Sequence, residues 1–281
     1  MKASYVLVDV FSDRPLAGNP LAVFPDGHDI PEELFAPVAR ELNLSETVFV
    51  TAIDESGYDA RIFTPGAELP FAGHPTLGTA WVLSHLGRIE GPWLVQRTAA
   101  GDTPVSLAFD TVWFERTGTV GRDIEDTSFI APALGLAESD IGFNAGVLGY
   151  SRRWLAPAFA DAGVEQLMVP VADRETLARM RPRPDVVDLS GQGVYCFTAL
   201  APTKLKARFF AAGIGIAEDP ATGSAAANVG LYLADRLGDL AFDIKQGKET
   251  GRPSTLSVDT SRGRVRVGGQ VVLVGEGELL L

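Results

Sequence analysis

The chain has 281 residues, 46% of them hydrophobic and 21% charged, which is the range of a soluble globular protein with one large domain or two ordinary ones. Its formal charge of −12 argues against a nucleic-acid partner, whose phosphates require a surplus of Lys and Arg. A single cysteine, Cys196, excludes an intramolecular disulfide and fits a reducing, cytoplasmic setting. No apolar run reaches the ~20 residues that span a bilayer, and the opening residues turn polar at Asp9 without a signal-peptide core.

In chain order, Tyr5 to Phe11 reads as a strand, and Gly18-Asn19-Pro20 as a turn before a second strand, Leu21 to Phe24. Asp29 and Glu32 have the spacing of a capping box, which predicts a helix with Leu34, Phe35, Val38 and Leu42 on its apolar face and Pro37 delaying or kinking it. Strands are expected over Thr47 to Thr51 and Tyr58 to Phe63. Pro75 to Leu86 is apolar on nearly every side, as is Thr222 to Leu237. A helix apolar all round must be buried all round, so each is expected at the centre of a curved sheet. Trp93 to Arg116 reads as strands about a turn near Gly101-Asp102. The second half repeats the order: a helix near Arg174 to Met180, strands at Val194 to Leu200 and Lys206 to Phe210, and the apolar helix. Closing strands are expected at Arg264 to Val267 and Val271 to Val274 around Gly268-Gly269.

One stretch occurs twice. His74-Pro75-Thr76-Leu77-Gly78-Thr79-Ala80 aligns without a gap on Asp219-Pro220-Ala221-Thr222-Gly223-Ser224-Ala225, and Ala60-Arg61-Ile62-Phe63 precedes the first as Ala207-Arg208-Phe209-Phe210 precedes the second. Such a repeat predicts a duplicated fold with a pseudo-twofold axis and His74 matched to Asp219. Each copy carries a Gly- and Pro-containing turn opening a buried helix, whose free N–H groups form an anion site. Gly73 and Gly223 would allow close backbone approach, and Thr79 and Ser224 could donate hydroxyls; the same glycines would equally serve tight helix packing. His74 reads either as a satisfied core histidine or as a proton carrier near neutrality. His28 and His85 read as surface or capping residues. Glu46, between an apolar helix and an apolar strand, reads either as a cap or as a general base. Cys196 reads as a buried small hydrophobe. No metal-ligand spacing, phosphate loop, dinucleotide fingerprint or nucleophile elbow is present, so proton transfer by side chains is the expected chemistry.

Val8-Asp9-Val10-Phe11, Gly18-Asn19-Pro20-Leu21-Ala22-Val23, Asn43-Leu44-Ser45-Glu46-Thr47, Ile62-Phe63-Thr64-Pro65, Glu68-Leu69-Pro70-Phe71-Ala72-Gly73-His74-Pro75, Glu218-Asp219-Pro220-Ala221-Thr222-Gly223-Ser224-Ala225 and Gln246-Gly247 with Gly251-Arg252-Pro253-Ser254 resemble the phenazine-biosynthesis PhzF-like family, within the diaminopimelate epimerase-like fold. The resemblance implies an α+β fold of two pseudo-symmetric lobes, each a curved sheet or barrel around a central helix, with the active site in the cleft between them. The lobes are expected over 1–118, completed by about 272–281, and over 119–271. It implies a homodimer with no cofactor and no metal, acting on a small carboxylate. It implies a proton-shuttling glutamate at Glu46, accompanied by His74 and Asp219, with Ser45, Gly73, Gly223 and Ser224 against the substrate. Phe71, Tyr150 and Trp154 are candidate pocket walls. Two departures stand out. The helix mouths carry no cysteines, which excludes a two-thiol racemase, and Phe210-Ala211-Ala212 lacks a proline common in relatives.

The expected function is a cofactor-independent isomerase that moves a proton on a small acid, similar to the dihydro-hydroxyanthranilate isomerase of the phenazine branch. The alternatives are an amino-acid or hydroxy-acid epimerase with carboxylate and histidine bases, and a catalytically silent small-molecule binder.

Overall fold

A computed structural model describes residues 1–150, 153–183 and 193–281. The chain is α+β and divides into two compact units, Met1–Arg116 with Val267–Leu281, and Thr117–Arg266.

The first unit opens with β1 (Lys2–Val10), paired antiparallel with β2 (Asn19–Phe24). The chain then makes two short 3-10 turns, Gly27–Asp29 and Glu32–Leu34, and enters α1 (Phe35–Leu42). The capping box expected at Asp29 and Glu32 does not open this helix. Pro37 explains the delay: it lies in the first turn of α1, where its missing N–H costs nothing, and it could not sit deeper. The helix lies on one face of β3 (Glu46–Asp54) and β4 (Gly57–Phe63), where Phe35 and Phe24 both stack on Phe49, at 4.1 and 4.9 Å between ring centres. β5 (Glu68–Leu69) leads into α2 (Gly73–His85), which returns to β6 (Trp93–Thr98) parallel to β4. β7 (Gly101–Ala108) and β8 (Thr111–Thr117) complete the antiparallel run. Helix α2 packs on β1, β2, β3 and β7, and every residue from Gly73 to Ala80 is buried. Its near-uniform apolar surface is thereby enclosed by sheet, each fully buried large side chain contributing roughly 1.5–3 kcal/mol.

The second unit uses the same order of elements. After β9 (Thr119–Val120), the short helix α3 (Ile130–Ala133) and a two-strand ribbon of β10 (Phe143–Asn144) with β11 (Trp154–Leu155), the sheet resumes with β12 (Ala158–Asp161) and β13 (Glu165–Pro170). Helix α4 (Arg174–Arg179) connects β13 to the parallel strand β14 (Val194–Ala201), as α1 connects β2 to β3. β14 turns into the antiparallel β15 (Lys204–Ala211). β16 (Ile216–Asp219) leads into α5 (Gly223–Leu237), which returns to β17 (Ala241–Gln246) parallel to β15. β18 (Ser254–Ser261) pairs with β17. Helix α5 packs on β9, β12, β13 and β18. The outer core of this unit gathers Ile130, Leu177, Met180, Val194 and Phe210, with Cys196 fully buried among them.

The last strand, β19 (Arg264–Leu280), is continuous. The turn expected at Gly268-Gly269 does not form. A Cβ at Gly268 would lie 2.3 Å from the Trp113 ring, and one at Gly269 2.3 Å from the Phe11 ring, so the two glycines admit aromatic rings against an unbroken strand. Beyond Gly269 the strand pairs antiparallel with β1, from Val10↔Val271 to Lys2↔Leu280.

The duplication is real in topology, but its register differs from the gapless alignment. Both inner helices begin at a glycine, Gly73 and Gly223, whereas the alignment matches Gly223 to Gly78. Superposed by element, Glu68-Leu69-Pro70-Phe71-Ala72-Gly73-His74 corresponds to Glu218-Asp219-Pro220-Ala221-Thr222-Gly223-Ser224. His74 therefore matches Ser224, and Asp219 matches Leu69. The arginine match survives. Arg61 forks onto Glu68 through Nε and Nη2, both at 2.8 Å, and Arg208 forks onto Glu218 in the same way, both at 2.8 Å. These bidentate pairs fix the chain just before each inner helix.

Candidate active site

The first unit gathers its polar residues at the entrance to α2. Leu21 and Glu46 are register partners on β2 and β3, so Asn19, two residues earlier, shares their face of the sheet. Helix α2 covers that face, since Gly78 lies directly over Leu21. His74, in the first turn of α2, thus stands among Asn19 and Glu46. Its Nε2 lies 3.3 Å from Glu46 Oε2, and its Nδ1 lies 3.1 Å from Asn19 Nδ2. The Glu46–His74 contact does not meet the geometry of a hydrogen bond. His74 is 3% exposed and Glu46 7%. Burial pushes the imidazole down to about 3, which keeps the ring neutral.

Ser45, half-buried, immediately precedes Glu46. Gly73 is the first residue of α2, and the residue before it, Ala72, provides no side-chain cap. The amide groups of that first turn therefore point outward with the positive end of the helix dipole behind them. Thr79 lies deeper in α2; its hydroxyl is buried and makes no hydrogen bond among the described residues. Phe71 is buried edge-on against Phe114, with the Arg116 guanidinium over its face. His28 is exposed near Asp29, and His85 stacks on Trp81 at the far end of α2.

The second unit builds a different set at the same place. Asp219, 5% exposed, ends β16 beside the Glu218–Arg208 pair. Thr222 donates its hydroxyl to Asp219 Oδ2 at 2.6 Å. Gln246 Nε2 donates to Thr222 Oγ1 at 3.0 Å and to the Asp219 carbonyl at 2.9 Å, while Gln246 Oε1 accepts from the buried Tyr195 hydroxyl at 3.0 Å. Burial and the nearby Asp219 charge hold the Tyr195 phenol well above its ordinary range, so it serves as a donor. The chain Tyr195, Gln246, Thr222 directs its donors toward one carboxylate. Thr222 is the residue before α5 and would ordinarily cap that helix. With its hydroxyl committed to Asp219, Thr222 gives α5 no side-chain cap of its own. Ser224 Oγ accepts from Gln166 Nε2 at 3.3 Å, and Gln166 in turn accepts from Asn228 at 2.9 Å. Tyr150 and Trp154 are both exposed on this unit.

Sequence reasoning missed Asn19, Thr222, Gln246, Tyr195, Gln166 and Asn228. Each is a buried polar group that needs a partner, and burial is not written in the local sequence. Among the described residues, no group of three or more His, Cys, Asp or Glu could hold a metal ion, and no helix is long and apolar enough to cross a membrane.

Comparison with known proteins supplies the chemical context. Residues 8–277 match the family model described as phenazine biosynthesis-like protein. An uncharacterized isomerase of Pasteurella multocida is 36% identical, with 99% of this chain and 94% of that protein aligned. The trans-2,3-dihydro-3-hydroxyanthranilate isomerase of Pseudomonas fluorescens is 32% identical, with 99% of each chain aligned. The crystal structure of a PhzF-family phenazine biosynthesis protein from Bacillus anthracis superposes over 100% of both chains with a TM-score of 0.86 at 23% identity, which shows a shared fold.

Proposed function

The chain belongs to the phenazine biosynthesis-like family and is an isomerase, and from that premise we propose that it relocates a proton on a small unsaturated carboxylic acid without a cofactor, a reading supported by its likeness to a relative named trans-2,3-dihydro-3-hydroxyanthranilate isomerase. The observation that carries this reading is the buried Glu46–His74 pair, 3.3 Å apart beneath an uncapped helix N-terminus.

Glu46 is the base. Its carboxylate takes a proton from a carbon of the substrate. The electron pair of that C–H bond forms a new double bond to the neighbouring carbon, the existing double bond there becomes single, and its π electrons form a new C–H bond at the far carbon with the proton that Glu46 returns. Atoms and charge balance within one molecule, as an isomerisation requires. His74 offers its ring N–H to charge that builds during the shift. Asp219, fixed by Thr222, orients a donor group of the substrate. Amides at Gly73 and Gly223, with the Ser45 and Ser224 hydroxyls, hold the substrate carboxylate. We further infer a homodimer working in the cytoplasm, with no nucleic-acid or membrane partner; light scattering on the purified protein tests the dimer.

Turnover of dihydro-hydroxyanthranilate and related cyclic acids in deuterated water tests the chemistry. A rate lowered roughly 10²–10⁴-fold by Glu46→Gln is the expected result, with deuterium entering the new C–H bond to the extent that the proton held on Glu46 exchanges with solvent before its return. Full turnover by that variant removes the proposed base. Exchange at a stereocentre with inversion and no double-bond shift points instead to the epimerase alternative.

A further inference from the structure

We propose that Asn19 is a positioning residue that holds His74 in the tautomer with its proton on Nε2, the nitrogen that faces Glu46. This rests on the reading of Glu46 and His74 as the working pair.

The argument begins with the backbone. Gly18 has φ +68, and a Cβ there would lie 2.3 Å from the Val10 carbonyl oxygen. No other residue fits the turn, so the direction in which the chain enters β2 is fixed. The loop before it is tied down by Asp9, a buried carboxylate on β1 that accepts the Leu16 amide at 2.6 Å. Asn19 follows as the first residue of β2, paired with Val10 and completely buried. Its side chain is therefore aimed, not free to search.

The ring is constrained from two sides. At Nδ1 stands the Asn19 amide nitrogen, 3.1 Å away, which can only donate; Nδ1 must then carry a lone pair. At Nε2 stands the Glu46 carboxylate, 3.3 Å away and outside hydrogen-bond geometry, which when ionised favours the proton on the nitrogen that faces it. One neutral tautomer satisfies both neighbours. Turning the Asn19 amide over would demand a proton on Nδ1 as well, making an imidazolium in a site that is 3% exposed, where charge is disfavoured. Asn19 thus settles which ring nitrogen presents a donor to the reacting side, as the partner of a catalytic histidine's other nitrogen generally does.

The test uses the full chain with 15N-labelled histidine. There are three histidines, His28, His74 and His85, so His74→Gln assigns the signal directly. Long-range 1H–15N correlation spectra report the tautomer without reference to activity. In the wild type, His74 shows an unprotonated Nδ1 and a protonated Nε2. Asn19→Asp, nearly isosteric, replaces the donor with an acceptor and draws a proton onto Nδ1. Asn19→Leu removes the preference and mixes the tautomers. Both lower kcat, by roughly 10- to 100-fold, with KM changed much less. If Asn19→Leu does not fold, Asn19→Asp decides alone. A wild-type ring protonated on Nδ1, an unchanged tautomer in the folded variants, or a changed tautomer with unchanged kcat overturns the proposal. Failure of the functional reading looks different: Glu46→Gln keeps full turnover while the tautomer still follows Asn19.

Discussion

The clamp on Asp219 yields a quantitative prediction. Thr222→Val keeps the shape of the side chain and removes its hydroxyl. The 2.6 Å bond to the Asp219 carboxylate is lost, and Gln246 Nε2 keeps only one of its two acceptors. A hydrogen bond to a charged group contributes about 1.5–3 kcal/mol and a neutral one about 1, so the variant is expected to lose about 2.5–4 kcal/mol. Gln246→Leu removes both donated bonds and strands the fully buried Tyr195 hydroxyl; an unsatisfied buried donor costs about 1–3 kcal/mol beyond the lost bonds, for a total of about 3–5. The bond between the Gln246 and Thr222 side chains is lost in both variants, so the double variant falls short of the sum by about 1 kcal/mol. Urea unfolding of the four proteins, followed by circular dichroism with the slope checked for constancy, measures the cycle. Costs that add within about 0.3 kcal/mol, or a Thr222→Val loss below about 0.5, refute the idea of a cooperative chain ending on Asp219.

Two further outcomes follow from burial. His74 is held at about 3 against an ordinary 6.5, so between those values the unfolded chain binds a proton that the folded chain refuses. Stability then falls as pH drops through that window, by up to about 1.4 kcal/mol per unit, and is insensitive to His74 above it; unfolding between pH 6.5 and 5 should show the slope, and His74→Gln should flatten it, whereas parallel curves contradict the assignment. Burial pushes the Cys196 thiol far up, so the native protein should resist iodoacetamide at pH 8 with activity intact and label stoichiometrically in urea; mass spectrometry showing rapid native labelling would contradict the placement of Cys196 in the outer core.

Much of this was legible from one chain. Period and composition located the two inner helices because an all-apolar helix has one solution, enclosure, and α2 and α5 are enclosed. Local signals failed where a distant contact decided the backbone. Gly268-Gly269 reads as a turn until Trp113 and Phe11 are seen to lie on it. The Asp29–Glu32 spacing reads as a helix start, but Pro37 can occupy only a first turn, and the helix begins where that proline allows. In the site, charged and titratable residues stood out by type, while Asn19 and Gln246 did not. An amide announces itself only by burial and by what it faces, and neither is written in local sequence.

The repeat shows the same division more sharply. Similar letters suggested matching His74 with Asp219, and the fold matches neither to the other. What both halves retain is the arginine fork onto the glutamate before the inner helix, Arg61 to Glu68 and Arg208 to Glu218. That pair sets the path of the chain into a helix that must start at a glycine, so it constrains geometry and leaves the neighbouring side chains free. The freed positions are the ones that differ: Leu69 against Asp219, and His74 against Ser224. One half therefore presents a neutral ring beside a glutamate, and the other a clamped carboxylate beside a hydroxyl, from a shared frame.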